Sequence, residues 1–261
     1  MLGSIIGDIV GSIYEFNNIK TKDFPLFTEQ MEITDDSILS IATADWLLHG
    51  GDSGEYYYKY ATRYPHPMGA YGVSFQRWVA QSKPGQLAPA YNSCGNGSAM
   101  RVSPVGWAFK TKAEVLQAAM LSAQCTHNHP EGIKGAQAVA LCIYLIRKGY
   151  GEDTIRYLVN KHCGYDLNFT CDDIRSTYGW EGTCQGSVPQ AIVAFLDADN
   201  FEDAIRNAIS IGGDSDTIAC ITGSIAEAAF GIPKEIRQRA LAYLPDELKA
   251  VVTEFEKKYR F

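Results

Sequence analysis

Residues 33–37 read ITDDS and residues 211–217 read IGGDSDT. Each stretch sets two carboxylates at the mouth of a small or apolar segment: Asp35 and Asp36 before ILSIATADWLL, Asp214 and Asp216 before IACITGSIAEAAF. Helix capping explains part of this. Asp, Ser and Thr are preferred N-caps, and first-turn carboxylates gain about 0.3–1 kcal/mol from the helix dipole. A cap uses one side-chain oxygen, however. The surplus carboxylates repel one another and lose hydration beside apolar helices, a cost that a cation relieves. Hard oxygen donors, with the hydroxyls of Thr34 and Thr217, suit Mg²⁺ or Mn²⁺ better than zinc. Two such clusters are enough for two ions about 3.5–4 Å apart. This chemistry requires that the two helix mouths, far apart in sequence, meet in space.

The elements that would carry these groups are helical. Apolar residues recur at three- and four-residue spacing over 37–48, 113–124, 132–147, 188–197, 202–210 and 216–230. Several of these segments are apolar on nearly every face, which marks interior helices. Gly149 and Gly151 stop one of them, and Gly231 with Pro233 stops another. Alternating strand patterns are nearly absent, so the expected fold class is all-α. Gly3, Gly7 and Gly11 share one face of the first helix and predict the close approach of another helix there, a frayed N-terminus being the alternative.

Composition sets the limits. With 261 residues, 46% hydrophobic and 20% charged, the chain can bury a large core, and no linker or repeat divides it; a single domain over 1–261 is expected. A net charge of −7 with no basic cluster argues against general nucleic-acid binding. Seven cysteines without a C-x-x-C pair make a poor disulfide framework and a poor zinc site. The apolar start, MLGSIIGDIVGSIYEF, has no basic leader and carries Asp8 and Glu15, so it reads as neither signal peptide nor membrane span. A cytoplasmic monomer with no membrane partner is expected.

Other stretches carry two readings each. CGNGSAM, residues 94–100, offers bare backbone around Gly95 and Gly97 for a diphosphate, or is an ordinary Asn-Gly turn. Arg101 could pair with phosphate or hold a buried carboxylate. His127, in THNHP, is a ligand contact or a satisfied core histidine. Segment 165–186, rich in aromatic and acidic residues, could line the rim of a cleft; Asp172 and Asp173 within it read as a solvated loop or an exposed cap.

Taken together, GDIVGSIYE (7–15), TDDS (34–37), GNGSAMRVSPVG (95–106), THNHPEG (126–132) and the run from Ser187 to Gly231 resemble the ADP-ribosylglycohydrolases, in the family's order and over nearly the whole chain. The resemblance implies a compact, orthogonally packed all-α bundle around a central cleft with two divalent ions, Mg²⁺ or Mn²⁺. It implies Thr34, Asp35, Asp36, Asp214, Asp216 and Thr217 as ion ligands, and Glu15, on the first helix, as an acidic residue implicated in catalysis beside Asp35, Asp36 and Asp214. It implies Asn96, Gly97, Ser98, Met100 and His127 as contacts to ADP-ribose. The implied activity is hydrolysis of the C1″ glycosidic bond between ADP-ribose and an acceptor, on a modified protein or small molecule. A two-metal phosphoesterase and a non-catalytic ADP-ribose binder are the alternatives.

Overall fold

The computed structural model describes residues 1–259. Among them are fifteen helices and no strand. The first eight are α1 (Leu2–Gly11), α2 (Asp35–His49), α3 (Ser53–Arg63), α4 (Val73–Gln81), α5 (Gly97–Met100), α6 (Ser103–Ala108), α7 (Lys112–Gln124) and α8 (Pro130–Arg147). Then follow α9 (Glu152–Cys163), α10 (Cys171–Arg175), α11 (Cys184–Leu196), α12 (Phe201–Ser210), α13 (Ser215–Phe230), α14 (Lys234–Tyr243) and α15 (Asp246–Tyr259).

The centre of the molecule is α13. Every residue from Ser215 to Ala226 is buried, as a helix apolar on all sides must be, and α1, α8, α11 and α12 pack around it. The closest of these is α1. A Cβ placed on Gly3 would lie 2.1 Å from the Gly223 carbonyl oxygen, one on Gly7 1.9 Å from that of Ala219, and one on Gly11 2.3 Å from Asp216 Cα. The glycine face of α1 therefore lies backbone to backbone along α13, and only glycine permits that approach. Its far end delivers the chain to Asp216.

One sequence expectation is corrected here. The first helix does not reach Glu15: α1 ends at Gly11, and Glu15 stands on the bend beyond it. The last turn closes differently: the Ser12 hydroxyl donates to Ile9 O at 2.8 Å, and Tyr14 N donates to Gly11 O at 2.8 Å. Asn18 Nδ2 donates to Tyr14 O at 2.7 Å and to Glu15 O at 3.0 Å, and the same amide group exchanges hydrogen bonds with the Gly213 backbone. Asp173 is an exposed cap, closing a capping box with Thr170 at the start of α10. All seven thiols are free. Among the described residues no helix is long and apolar enough to cross a membrane.

Candidate functional site

The two acidic helix mouths meet. Thr217 Oγ1, in the first turn of α13, lies 3.4 Å from Asp36 Oδ1 at the start of α2. Carboxylate oxygens of Glu15, Asp214 and Asp216 lie within 4.8 Å of one another. Glu15, Asp35, Asp36, Asp214, Asp216 and Thr217 all line one cleft of about 560 Å³, with Gly95, Asn96, Gly97, Met100, Arg101 and His127 on its other wall. A larger hollow of about 720 Å³ near α3 and α7 holds a single carboxylate, Asp52, which is spent capping Gly54 N–H at 2.8 Å. The carboxylates converge in the acidic cleft.

A buried carboxylate outside the cleft builds one of these mouths. Asp8, in the middle of α1, accepts hydrogen bonds from Thr34 N at 3.0 Å, Thr34 Oγ1 at 2.5 Å, Ser37 N at 3.1 Å and the Ser37 hydroxyl. It thus caps α2 from another helix and fixes the TDDS turn. The Thr34 hydroxyl, donating to Asp8 and accepting from Asp36 N at 3.2 Å, has one lone pair left for an ion. Asn96 serves the second mouth: its Nδ2 donates to Asp214 Oδ2 at 2.7 Å and to Ser187 Oγ at 3.1 Å. Its side chain is committed to orienting Asp214. Ser98 is fully buried and donates to Gly132 O at 2.7 Å, so its hydroxyl does not line the cleft.

The electrostatics are those of an uncompensated negative site. Among the described residues, no Lys or Arg pairs with any of the five cleft carboxylates. Burial, and then the field of neighbouring carboxylates, holds Asp35, Asp36 and Asp216 well above the ordinary carboxylate range. Burial also raises Asp214, against the lowering effect of its hydrogen bonds. Glu15 is pushed up to about 7 by burial and by the charges of Asp214 and Asp8. Asp36 Oδ2 and Asp216 Oδ1 are buried with no hydrogen-bond partner. Orphaned carboxylate oxygens in a cluster without cationic side chains are what a divalent cation would satisfy. The residues fit such an ion.

A family model described as ADP-ribosylglycohydrolase matches residues 1–260. The chain belongs to the ADP-ribosylglycohydrolase family. The human protein named ADP-ribosylhydrolase ARH3 is 26% identical over 96% of this chain and 90% of its own length. ADP-ribosylarginine hydrolase Tri1 of Pseudomonas putida (strain GB-1) is 24% identical over 89% of this chain and 70% of its own. A solved structure described as an ADP-ribosylglycohydrolase-related protein complex superposes with a TM-score of 0.70 at 24% identity, covering 99% of this chain and 95% of that one. The fold of this chain is thus shared with its solved neighbour.

On the opposite wall, an added Cβ at Gly95 would meet Ser93 Oγ at 3.1 Å and His127 Nε2 at 3.6 Å, and one at Gly97 would meet His127 Nε2 at 3.0 Å. The backbone there is bare and His127 faces it. The Cys94–Asn96 strip is held against the 182–184 segment by Asn96 N donating to Gly182 O at 2.9 Å and Cys184 N to Cys94 O at 2.9 Å. Trp180, 65% exposed, and Phe16, 71% exposed, also line this cleft, as the aromatic character of segment 165–186 predicts for its own part. Arg101 holds no buried carboxylate: among the described residues it forms no ion pair, and its guanidinium lies on the Tyr57 ring, 3.9 Å from the centroid. Sequence reasoning missed Asp8 and Asn18. The signal for Asp8 was a lone carboxylate inside an apolar glycine-faced helix.

Proposed function

We propose that this protein is a metal-dependent hydrolase that releases ADP-ribose from a modified acceptor by cleaving the C1″ glycosidic bond. The observation that carries this reading is the convergence of Glu15 and the two acidic helix mouths on one cleft, with two buried carboxylate oxygens unpartnered. Thr34, Asp35, Asp36, Asp214, Asp216 and Thr217 would hold two divalent ions, Mg²⁺ or Mn²⁺. Bound there, such ions would supply positive charge to orient ribose hydroxyls and polarise a water.

The chain's own residues do the remainder. Glycoside cleavage develops positive charge at the sugar, and the carboxylates surround the place where that charge would form. Glu15, whose carboxyl is pushed up to about 7 in the metal-free site by burial and the charges of Asp214 and Asp8, lines the same cleft and is the carboxyl group assigned the proton exchange. Asn96 keeps Asp214 oriented through the 2.7 Å hydrogen bond, and the bare backbone at Gly95 and Gly97 leaves room for the diphosphate. The chain would act as a single domain over 1–261, as a cytoplasmic monomer, on an ADP-ribosylated protein or small molecule.

Linkage-defined ADP-ribosyl substrates, including arginine- and serine-linked ones, incubated with Mg²⁺, Mn²⁺ or EDTA test this directly. The expected products are free ADP-ribose and a restored acceptor, formed only with metal. Glu15→Gln should abolish turnover and retain ADP-ribose binding. AMP as the product would point to phosphoester cleavage instead, and binding of ADP-ribose without turnover of any linkage to a non-catalytic binder.

A further inference from the structure

Arg101 is fully buried on the cleft wall without a carboxylate partner, an arrangement that calls for a purpose beyond charge pairing. Its Nη2 donates to Ser122 O at 2.9 Å and to Thr126 Oγ1 at 2.8 Å. A guanidinium has donors and no acceptor, so the Thr126 oxygen must accept there and its own proton must go elsewhere. His127 Nδ1 stands 2.8 Å from that oxygen, nearer than Cys125 Sγ at 4.0 Å, and the Tyr91 hydroxyl, which also interacts with Thr126, has its own proton to donate there. The hydroxyl therefore donates to Nδ1, and Nδ1 is an acceptor. In a neutral imidazole the proton is then on Nε2.

Nε2 is the nitrogen that faces the cleft, close to Gly97 and Gly95. The ring is backed by Tyr91, centroid to centroid 5.8 Å at 59°. We propose that Arg101 and Thr126 are positioning residues that lock His127 as the neutral Nε2–H tautomer, a fixed hydrogen-bond donor to an oxygen of the ligand lying along Gly95–Gly97. Burial and the nearby Arg101 charge both hold the imidazole well below its usual range, so it stays neutral. Its one basic nitrogen is already occupied. His127 is therefore a donor to a phosphate or hydroxyl oxygen and takes no proton. This inference rests on the ADP-ribosyl reading for the identity of the ligand but not for the tautomer.

The test is ¹⁵N-histidine NMR on the full chain without ligand, with the His127 signals among the five histidines assigned by their loss in His127→Gln. The expected result is an unprotonated Nδ1 and a protonated Nε2 from mildly acidic to mildly basic pH. Thr126→Val, which keeps the shape and removes the hydroxyl, should populate both tautomers and weaken ADP-ribose binding by roughly three- to tenfold, the worth of one hydrogen bond. Thr126→Ser should restore the wild-type tautomer and affinity. A wild-type His127 protonated at Nδ1, or a Thr126→Val protein with an unchanged tautomer, would overturn the relay. Failure of the wild-type protein to bind ADP-ribose would instead sink the substrate reading, and the ligand-free spectrum would still decide the tautomer.

Discussion

At the residue scale, the least conspicuous carboxylate is the one on which the site's geometry depends. Asp8 never reaches the cleft, yet it receives four hydrogen bonds from Thr34 and Ser37 and so fixes the turn that presents Asp35 and Asp36. Asp8→Asn would oppose an NH₂ group to N–H and O–H donors. We expect a loss of about 1–3 kcal/mol of stability, seen as a lower melting temperature in EDTA. Mn²⁺ binding should weaken by about tenfold or more, as for other supports of metal ligands, and a titration would read it. An unchanged melting point and affinity would mean that Thr34 and Ser37 find other acceptors. The four cleft aspartates were legible in the sequence because each mouth held more carboxylate than a cap uses. Asp8 was not, since one acid in an apolar helix reads only as a charge. Asn18 was not either: nothing in its neighbours announces a side chain that ties the Tyr14 and Glu15 carbonyls to the Gly213 backbone.

At the element scale, the decisive contact is α1 on α13. The sequence pointed to a close helix contact through Gly3, Gly7 and Gly11 on one face, because tight backbone approach offsets the cost of three glycines in a helix, but it did not name α13 as the partner. Gly7→Ala would place a methyl group 1.9 Å from the Ala219 carbonyl oxygen, where both neighbours are backbone and cannot rotate away. The two helices would have to part. The expected cost is at the upper end of, or beyond, the roughly 1–3 kcal/mol usual for overpacking, read by urea denaturation. Gly179→Ala, where an added Cβ meets nothing within 4 Å, is the control and should stay within about 0.5 kcal/mol. Equal losses at both positions would refute the packing account. The interior helices were legible within a few residues of their ends, because burial on most faces leaves long apolar runs. Helices α3, α9, α14 and α15 were not, for the opposite reason: each buries a single narrow face, as α9 does with Ile155, Val159 and Cys163, and their remaining positions are polar.

At the scale of the whole molecule, folding crowds like charges into its centre in a chain that is already at −7. Burial raises Asp8 from 3.8 to about 6 and Glu15 from 4.5 to about 7, and it raises the other four acidic groups of the site as well. Between about pH 4 and 7 the metal-free folded protein therefore binds more protons at these groups than the unfolded chain does. Stability from them is highest at the acidic end and falls as pH rises through the folded values. His127, held below its ordinary range, acts with the opposite sign, since it must be charged in the unfolded chain and neutral in the fold at mildly acidic pH. That contribution is the same with and without metal and cancels in a difference. A cation binds the deprotonated carboxylates, so its stabilising effect must grow as the protons leave. The gain in melting temperature from saturating Mg²⁺ over EDTA should therefore be small near pH 4 and rise steadily to about pH 7. A gain independent of pH would place the ion away from these carboxylates, and no gain at any pH would remove the metal from the site. Either result would return Asp35, Asp36, Asp214 and Asp216 to the role of helix caps.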